Sequence, residues 1–191
     1  MKKRVGVLIS GTGSNMKALV AAGREAASPF EVVCVASNKA DAGGIAWARE
    51  QGIATQVINH KDVATREAFD TALNDYLQSQ HLDLIACAGF MRIMTPVLIA
   101  PWAGRMLNIH PSLLPLYKGL HTHQRAIEAG DKEAGCSVHF VTTELDGGPV
   151  IAQTRVPILA GDTAETLAAR VLVEEHKLYP KVLAEITSLI S

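Results

Sequence analysis

Asn108 and His110 are the two residues whose types and spacing best suit chemistry. They stand two apart at the start of the stretch Leu107–Pro115, and side chains alternate along a strand, so both point to one face. A central strand of a parallel sheet is normally apolar on both faces, so this polar pair breaks the pattern. An amide donor beside a side chain that gains a proton near neutral pH can stabilise and transfer charge. We predict a catalytic site here; a capped strand end with a hydrogen-bonded histidine is the alternative.

A glycine-containing loop, Ser10–Asn15, follows the apolar strand Val5–Ile9. A helix from about Met16 to Ala27 should follow, with Ser14 or Asn15 as its N-cap. Free N–H groups at such a helix start favour an anion, so a phosphate is the expected ligand. The third glycine of a dinucleotide-binding loop is missing, and no acidic residue follows the second strand, which argues against a dinucleotide. A tight turn with nothing bound remains the alternative.

Two further segments carry single charged residues that could belong to a site. Arg92 follows a buried strand in a glycine-led apolar segment, and it predicts either a pocket wall or a snorkelling surface arginine. Asp146 stands before Gly147 between two predicted strands, where an ordinary hairpin turn is the simplest interpretation. His121 and His123 are two apart and cannot share a helix face, and no third ligand is evident, so we expect no metal.

Apolar runs alternate with helical patterns along the chain, which predicts an α/β fold with a doubly wound, mostly parallel sheet. The last two strands have hairpin-like spacing, so an antiparallel edge should make the sheet mixed. A long final helix should start with a capping box at Asp162–Glu165, and Pro180 should kink or split it. We predict strands near residues 5–9, 31–36, 54–58, 82–88, 106–110, 137–141 and 150–156.

Composition excludes several classes of protein. The chain has 191 residues, 48% hydrophobic residues and a net charge of −1, which fits one α/β domain over residues 1–191. Near-neutral charge gives no footprint for nucleic acid or an anionic membrane. No apolar run approaches the roughly 18 residues of a membrane span. Three well-separated cysteines indicate core thiols in a reducing compartment, so we expect a cytoplasmic protein. Oligomeric state is left open.

Taken together, five motifs stand in an order that closely resembles the phosphoribosylglycinamide formyltransferases, a folate-dependent formyltransferase family. They are Ser10–Asn15, Ala88–Arg92, Asn108–Pro115, Gly119–His123 and Leu145–Val150. The resemblance covers nearly the whole chain and implies a formyltransferase fold with a Rossmann-like sheet and helices on both faces. It also implies transfer of a formyl group from 10-formyltetrahydrofolate, the co-substrate, to the primary amine of glycinamide ribonucleotide, without a metal.

The resemblance also implies roles for individual residues. It implies a catalytic trio of Asn108, His110 and Asp146. It implies substrate binding by Gly13, Ser14 and Asn15 at the phosphate and by Glu175 near the amino end. It implies folate binding by Arg66, Met91, Arg92, Ile93, Met94, Asn108, Val141, Thr142 and Asp146. The phosphate-binding half would span about 1–100, and the catalytic and folate-binding half about 101–191.

Other functions remain open at this point. The Asn-x-His-Pro-Ser-Leu-Leu-Pro block is shared by methionyl-tRNA formyltransferases and formyltetrahydrofolate hydrolases. The former usually carry a further domain and need basic surface for tRNA; the latter would not need the phosphate loop. A non-catalytic nucleotide-binding Rossmann-like module is the alternative from another class.

Overall fold

A seven-stranded mixed sheet forms the centre of the computed structural model, which describes residues 1–191. The strands are β1 (Lys3–Ile9), β2 (Phe30–Ser37), β3 (Ala54–Val57), β4 (Leu84–Cys87), β5 (Met106–His110), β6 (Glu133–Phe140) and β7 (Val150–Pro157). Their order is β3-β2-β1-β4-β5-β6-β7. The first five run parallel, whereas β6 is antiparallel to β5 and β7 to β6. The predicted doubly wound, mixed α/β fold is confirmed.

Helices cover both faces of this sheet and bury two hydrophobic cores. The helices are α1 (Ser14–Arg24), α2 (Gly43–Glu50), α3 (Arg66–Ser79), α4 (Pro96–Ile99), a 3-10 turn (Ala100–Trp102), α5 (Thr122–Glu128) and α6 (Ala164–Leu189). Helices α1, α2 and α6 pack on one face, and α3 and α4 on the other. Strands covered on both sides must be apolar along their length, which explains the continuous apolar runs. None of the helices is both long and apolar enough to cross a bilayer.

Helix α1 begins two residues earlier than predicted and has no side-chain cap. Its N-cap is Gly13, with φ 72°, so the expected capping by Ser14 or Asn15 is wrong. A Cβ at Gly13 would lie 2.6 Å from Met16 Cε, so both the left-handed backbone and the close packing favour glycine. The Asn15 side chain is drawn instead into a hydrogen bond with Glu175 on α6.

Pro180 lies inside α6, yet the helix runs unbroken to Leu189, so the predicted split does not occur. The helix is anchored beside the proline by buried Tyr179, whose hydroxyl donates to Cys87 O at 2.9 Å and Leu107 O at 3.2 Å. Tertiary packing thereby offsets the hydrogen bond that proline cannot make. A capping box is present, but Thr163 and Thr166 form it, one residue later than the predicted pair of Asp162 and Glu165.

Replacing Tyr179 by Phe should lower the free energy of unfolding by about 1–2 kcal/mol, since it removes a buried hydroxyl donor from two strand carbonyls. Urea unfolding checks this value. Tyr76→Phe is the matched control, because the buried Tyr76 hydroxyl faces only the Cys34 thiol, a weak hydrogen-bond partner. Equal losses in the two variants would contradict the assigned anchoring role.

Candidate active site

The carboxyl end of β5 presents Asn108 and His110 on one face, as the alternation predicts. The neighbouring strand β6 runs antiparallel, and its register places His139 opposite Asn108 and Ser137 opposite His110. Directly opposed residues of antiparallel strands share a face, so four polar side chains converge here. The switch from parallel to antiparallel pairing at β5 therefore builds a polar cluster at the end of an otherwise apolar strand.

His110 is 6% exposed and lies between two acceptors. Its Nε2 is 2.9 Å from Tyr117 O, and because a carbonyl only accepts, Nε2 carries the hydrogen. Its Nδ1 is 3.5 Å from Asp146 Oδ2. In the imidazolium form Nε2–H donates to Tyr117 O and Nδ1–H faces the carboxylate at ion-pair distance, whereas the neutral ring would turn a lone pair toward the carboxylate. The geometry therefore suits a charged His110 that donates or returns a proton at Nδ1.

Asp146 reaches this histidine from the loop between β6 and β7. Its backbone is left-handed, with φ 50°, and its side chain is only 8% exposed. Oδ2 also accepts a hydrogen bond from Gly119 N at 2.9 Å. A Cβ at Gly148 would lie 1.8 Å from Phe140 O, so only glycine lets the loop fold back against the end of β6. The loop is thus more than a hairpin turn, because it directs a carboxylate into the cluster.

His139 is a member of this cluster that the sequence reasoning missed. Its Nδ1 lies 2.9 Å from Phe140 O and its Nε2 lies 3.2 Å from Asn108 Nδ2. Burial lowers the pKa of His139, so the neutral ring donates from Nδ1 and accepts the Asn108 amide at Nε2. One amide N–H of Asn108 is left free. Ser137 and His139 repeat the polar alternation of β5, but strand direction and register were needed to bring the pairs together.

Two cavities meet at this cluster, one of about 760 Å³ and one of about 110 Å³. Asn108 and Asp146 line both of them, so a group held in either cavity can reach the same side chains. The residues common to both walls are Phe90, Arg92, Ile93, Asn108, Leu145 and Asp146. An arrangement of two adjoining cavities with reactive groups at the junction suits a transfer between two bound molecules.

The larger cavity is bordered by buried polar atoms that lack a partner within the protein. They are Asn15 Oδ1, Arg92 Nε and His123 Nε2. Buried polar groups are normally hydrogen-bonded, and orphaned ones cost free energy. An unpaired acceptor and an unpaired charged donor at the border of this cavity match a polar ligand that has both donors and acceptors. The residues present therefore fit a polar small-molecule substrate.

Glu175, on α6, contributes a carboxylate to the wall of the larger cavity. It is 7% exposed and accepts a hydrogen bond from Asn15 Nδ2 at 3.1 Å. Burial raises the pKa of Glu175, and the bond from Asn15 opposes that shift. A buried carboxylate with one hydrogen-bond donor gains from a cationic or amine partner. The sequence alone allowed a solvated helix face here, and packing of α6 over the cavity decides otherwise.

Most residues expected at a folate site lie around the cavities. Met91, Arg92 and Ile93 line the larger cavity, and Arg92, Ile93, Met94, Val141 and Thr142 line the smaller one. The Arg92 guanidinium stacks on Phe69, with Cζ 4.1 Å from the ring centroid, so it is a wall residue and not a snorkelling surface arginine. Arg66, by contrast, is exposed at the start of α3 and lines neither cavity.

The strand-exit segment 91–94 is held at both ends by side-chain acceptors. Ser10 Oγ accepts from Met91 N at 2.8 Å, and buried Asp70 accepts from Thr95 N at 2.6 Å and Thr95 Oγ at 2.8 Å. The wall between the two cavities is therefore fixed to β1 and to α3.

No group of three or more His, Cys, Asp or Glu side chains is placed to hold a metal ion.

The chain is similar to known proteins both in sequence and in fold. A family model described as formyl transferase matches residues 3–183. The phosphoribosylglycinamide formyltransferase of Escherichia coli K12 is 51% identical over 178 residues, covering 93% of this chain and 84% of that protein. A crystal structure of the Brucella melitensis enzyme of the same name is 53% identical, with a TM-score of 0.95, and covers 100% of this chain and 98% of that one.

Some relatives are much longer. The trifunctional purine biosynthetic protein adenosine-3 of Bos taurus is 48% identical over 187 residues. The matched region covers 98% of this chain but only 18% of the bovine protein. The fold and the family match together define an α/β protein with a mixed seven-stranded sheet of the formyl transferase type. The chain belongs to the formyl transferase family.

Glu175→Gln should raise the free energy of unfolding at neutral pH. Because the pKa of Glu175 is raised in the folded state, its ionisation costs stability as the pH rises through that pKa, and glutamine does not ionise. The gain should shrink as the pH falls through the folded-state pKa and vanish below the ordinary carboxyl range. Urea unfolding at several pH values checks it.

Glu174→Gln is the matched control in the same helical turn, since its carboxylate lies 2.9 Å from Lys177 Nζ and is not in the cavity wall. No gain at neutral pH is expected from this variant. A pH-independent difference between Glu175→Gln and the wild type would contradict the assignment.

Proposed function

We propose that this chain transfers the formyl group of 10-formyltetrahydrofolate to the primary amine of glycinamide ribonucleotide. The products are N-formyl glycinamide ribonucleotide and tetrahydrofolate, in de novo purine biosynthesis in the cytoplasm. The observation that carries the proposal is the Asn108, His110 and Asp146 cluster at the junction of two cavities. The names of full-length relatives such as the Escherichia coli enzyme support the choice of acceptor.

Asn108 and His110 supply the donors that acyl transfer needs. Attack of an amine on a formyl carbon places negative charge on the formyl oxygen, and preorganised donors stabilise that charge. The free amide N–H of Asn108 is one donor. The other is the Nδ1–H of a protonated His110, because Nε2–H is bonded to Tyr117 O and Nδ1 has no hydrogen bond within the protein. Losing one such donor typically costs about 3 kcal/mol of barrier. The nucleophile is already an amine, so no serine or cysteine is required.

Asp146 handles the proton that the amine must lose. Its carboxylate lies 3.5 Å from His110 Nδ1, close enough to hold the ring charged and oriented. With Oδ2 also bonded to Gly119 N, the carboxylate is fixed in place and can order a water molecule between amine and leaving nitrogen. Asp146 therefore acts as a positioned base for the exchange, and His139 holds the Asn108 amide in its working orientation.

The N-terminal half, about 1–100, supplies the phosphate subsite at Gly13, Ser14 and Asn15. The start of α1 offers unpaired N–H groups without a competing side-chain cap. Glu175 faces the larger cavity and would receive the amino end of the ribonucleotide. Phosphate anchoring is remote from the reacting atoms, so its binding energy orients the amine.

The C-terminal half, about 101–191, supplies catalysis and most folate contacts, with the 91–94 segment completing the wall. Folate supplies the formyl group when bound, and the smaller cavity, lined by seven hydrophobic residues among fourteen, suits a heteroaromatic ring with polar edges. Val141 and Thr142 close that cavity from the end of β6. Arg66, exposed and outside both cavities, would contact a part of the folate that projects from the site.

A formyl-transfer assay on the purified chain tests the proposal. The assay supplies 10-formyltetrahydrofolate with glycinamide ribonucleotide, with initiator methionyl-tRNA, or with water alone. Formylation of the ribonucleotide is the expected result. Formate release without acceptor would move the chain to the hydrolases, and formylation of tRNA to the tRNA enzymes. No formyl transfer and no formate release in any of the three reactions, together with tight dinucleotide binding, would favour the non-catalytic module.

Asp146→Asn should lower kcat roughly a hundredfold or more, because the amide cannot hold His110 charged or accept the amine's proton. His110→Asn should lower kcat similarly while folate binding, measured by fluorescence titration, remains, because His110 does not line the smaller cavity. Near-wild-type turnover of folded Asp146→Asn protein would refute its proposed role.

Gly13→Ala should raise KM for the ribonucleotide more than KM for folate. The added methyl group is strained at φ 72° and lies against Met16 Cε, so the N–H groups at the start of α1 must shift. Gly11→Ala is the matched control in the same loop, because a Cβ there meets no atom within 4 Å. Parallel changes in both KM values would place the phosphate elsewhere.

A further inference from the structure

We propose that Arg125 is a positioning residue that fixes the His110–Asp146 pair through the segment Tyr117–Leu120, here called the buttress segment. This inference rests on the proposed function of that pair. Arg125 lines neither cavity, so it has no direct access to a bound substrate. Its effect must pass through the backbone that it holds.

The buttress segment touches both members of the pair through its backbone. Tyr117 O accepts from His110 Nε2 at 2.9 Å, and Gly119 N donates to Asp146 Oδ2 at 2.9 Å. One peptide stretch thus sets the ring rotation of the histidine and the carboxylate position of the aspartate. A displacement of this stretch would open the 3.5 Å approach between His110 Nδ1 and Asp146 Oδ2.

This stretch does not hold its own shape by regular secondary structure. Tyr117 has φ 53°, a left-handed conformation that side chains other than glycine rarely adopt. Gly119 has φ 82° two residues later. Such a backbone persists only where surrounding contacts determine it. The contacts that do so should therefore be few and identifiable.

Arg125, in the last turn of α5, makes most of them. Its Nη1 donates to Lys118 O at 2.7 Å and to Leu120 O at 3.2 Å, on either side of Gly119. Its guanidinium also lies over the Tyr117 ring, with Cζ 5.2 Å from the centroid. The Tyr117 hydroxyl donates to Asp131 Oδ2 at 2.5 Å and holds the other side of the ring. A planar guanidinium can bridge two carbonyls and stack on a ring at once, which an ammonium cannot.

The test compares the kinetics of Arg125→Ala and Arg125→Lys with the wild type. We expect Arg125→Ala to lower kcat roughly tenfold to a hundredfold, as small misplacements of catalytic groups do. KM for folate should stay near the wild-type value, because neither Arg125 nor the buttress segment lines the smaller cavity. KM for the ribonucleotide should change less than kcat, since Gly119 and Leu120 line the larger cavity but Arg125 does not. Arg125→Lys should recover only part of kcat, since it restores the charge but not the bridge.

Arg4→Ala is the matched control. Arg4 also clamps a loop by two carbonyls, with donations to Gln80 O and His81 O, and His81 is left-handed at φ 52°. A purely structural arginine should lower the melting temperature without changing kcat. Equal loss of kcat in Arg4→Ala and Arg125→Ala, or no loss in folded Arg125→Ala, would overturn the proposal.

Histidine ¹⁵N NMR provides a readout that does not require formyl transfer. The Nε2–H signal of His110, assigned by its loss in His110→Asn, should show the hydrogen bond to Tyr117 O in wild type and in Arg4→Ala. In Arg125→Ala this signal should shift or exchange faster with water. An unchanged signal would refute the buttress even if the wild type formylates the ribonucleotide. A shifted signal in a chain without transferase activity would sustain the buttress and refute the proposed function.

Discussion

The contact between His110 and Asp146 is the interaction on which the rest of the site depends. Bringing a carboxylate to a histidine that is 6% exposed removes both groups from water, which is costly unless each keeps its hydrogen bonds. Tyr117 O and Gly119 N complete those bonds from one backbone segment. The site is consequently a network in which a backbone stretch, and not a second side chain, fixes both partners.

The sheet makes this network possible by changing direction at β5. Parallel pairing from β3 to β5 buries both faces with apolar side chains, and polar groups are tolerated only at the strand end. Antiparallel β6 then brings His139 opposite Asn108 at that end. Neutral His139 accepts one amide hydrogen of Asn108 and leaves the other for chemistry. One buried histidine, His139, therefore orients Asn108, and the other, His110, is available to carry charge.

Local patterns predicted the elements well because their causes are local. Apolar runs predicted the strands, because a strand that is covered on both faces is apolar along its own length. The predictions that failed were those in which distant contacts overrule a local preference. Asn15 does not cap α1 because Glu175, 160 residues away in sequence, takes its side chain. Pro180 does not split α6 because Tyr179 is bonded to two strands.

By itself the sequence determined the fold class, the shared face of Asn108 and His110, and a glycine loop suited to phosphate. These follow from periodicity and from backbone preferences within a few residues. Only the tertiary structure decided which distant residues meet. It places the Asp146 carboxylate beside His110, the His139 ring in hydrogen-bond contact with Asn108, and Glu175 in the wall of the larger cavity. Each of these depends on strand register, strand direction or helix packing, which join residues far apart in sequence.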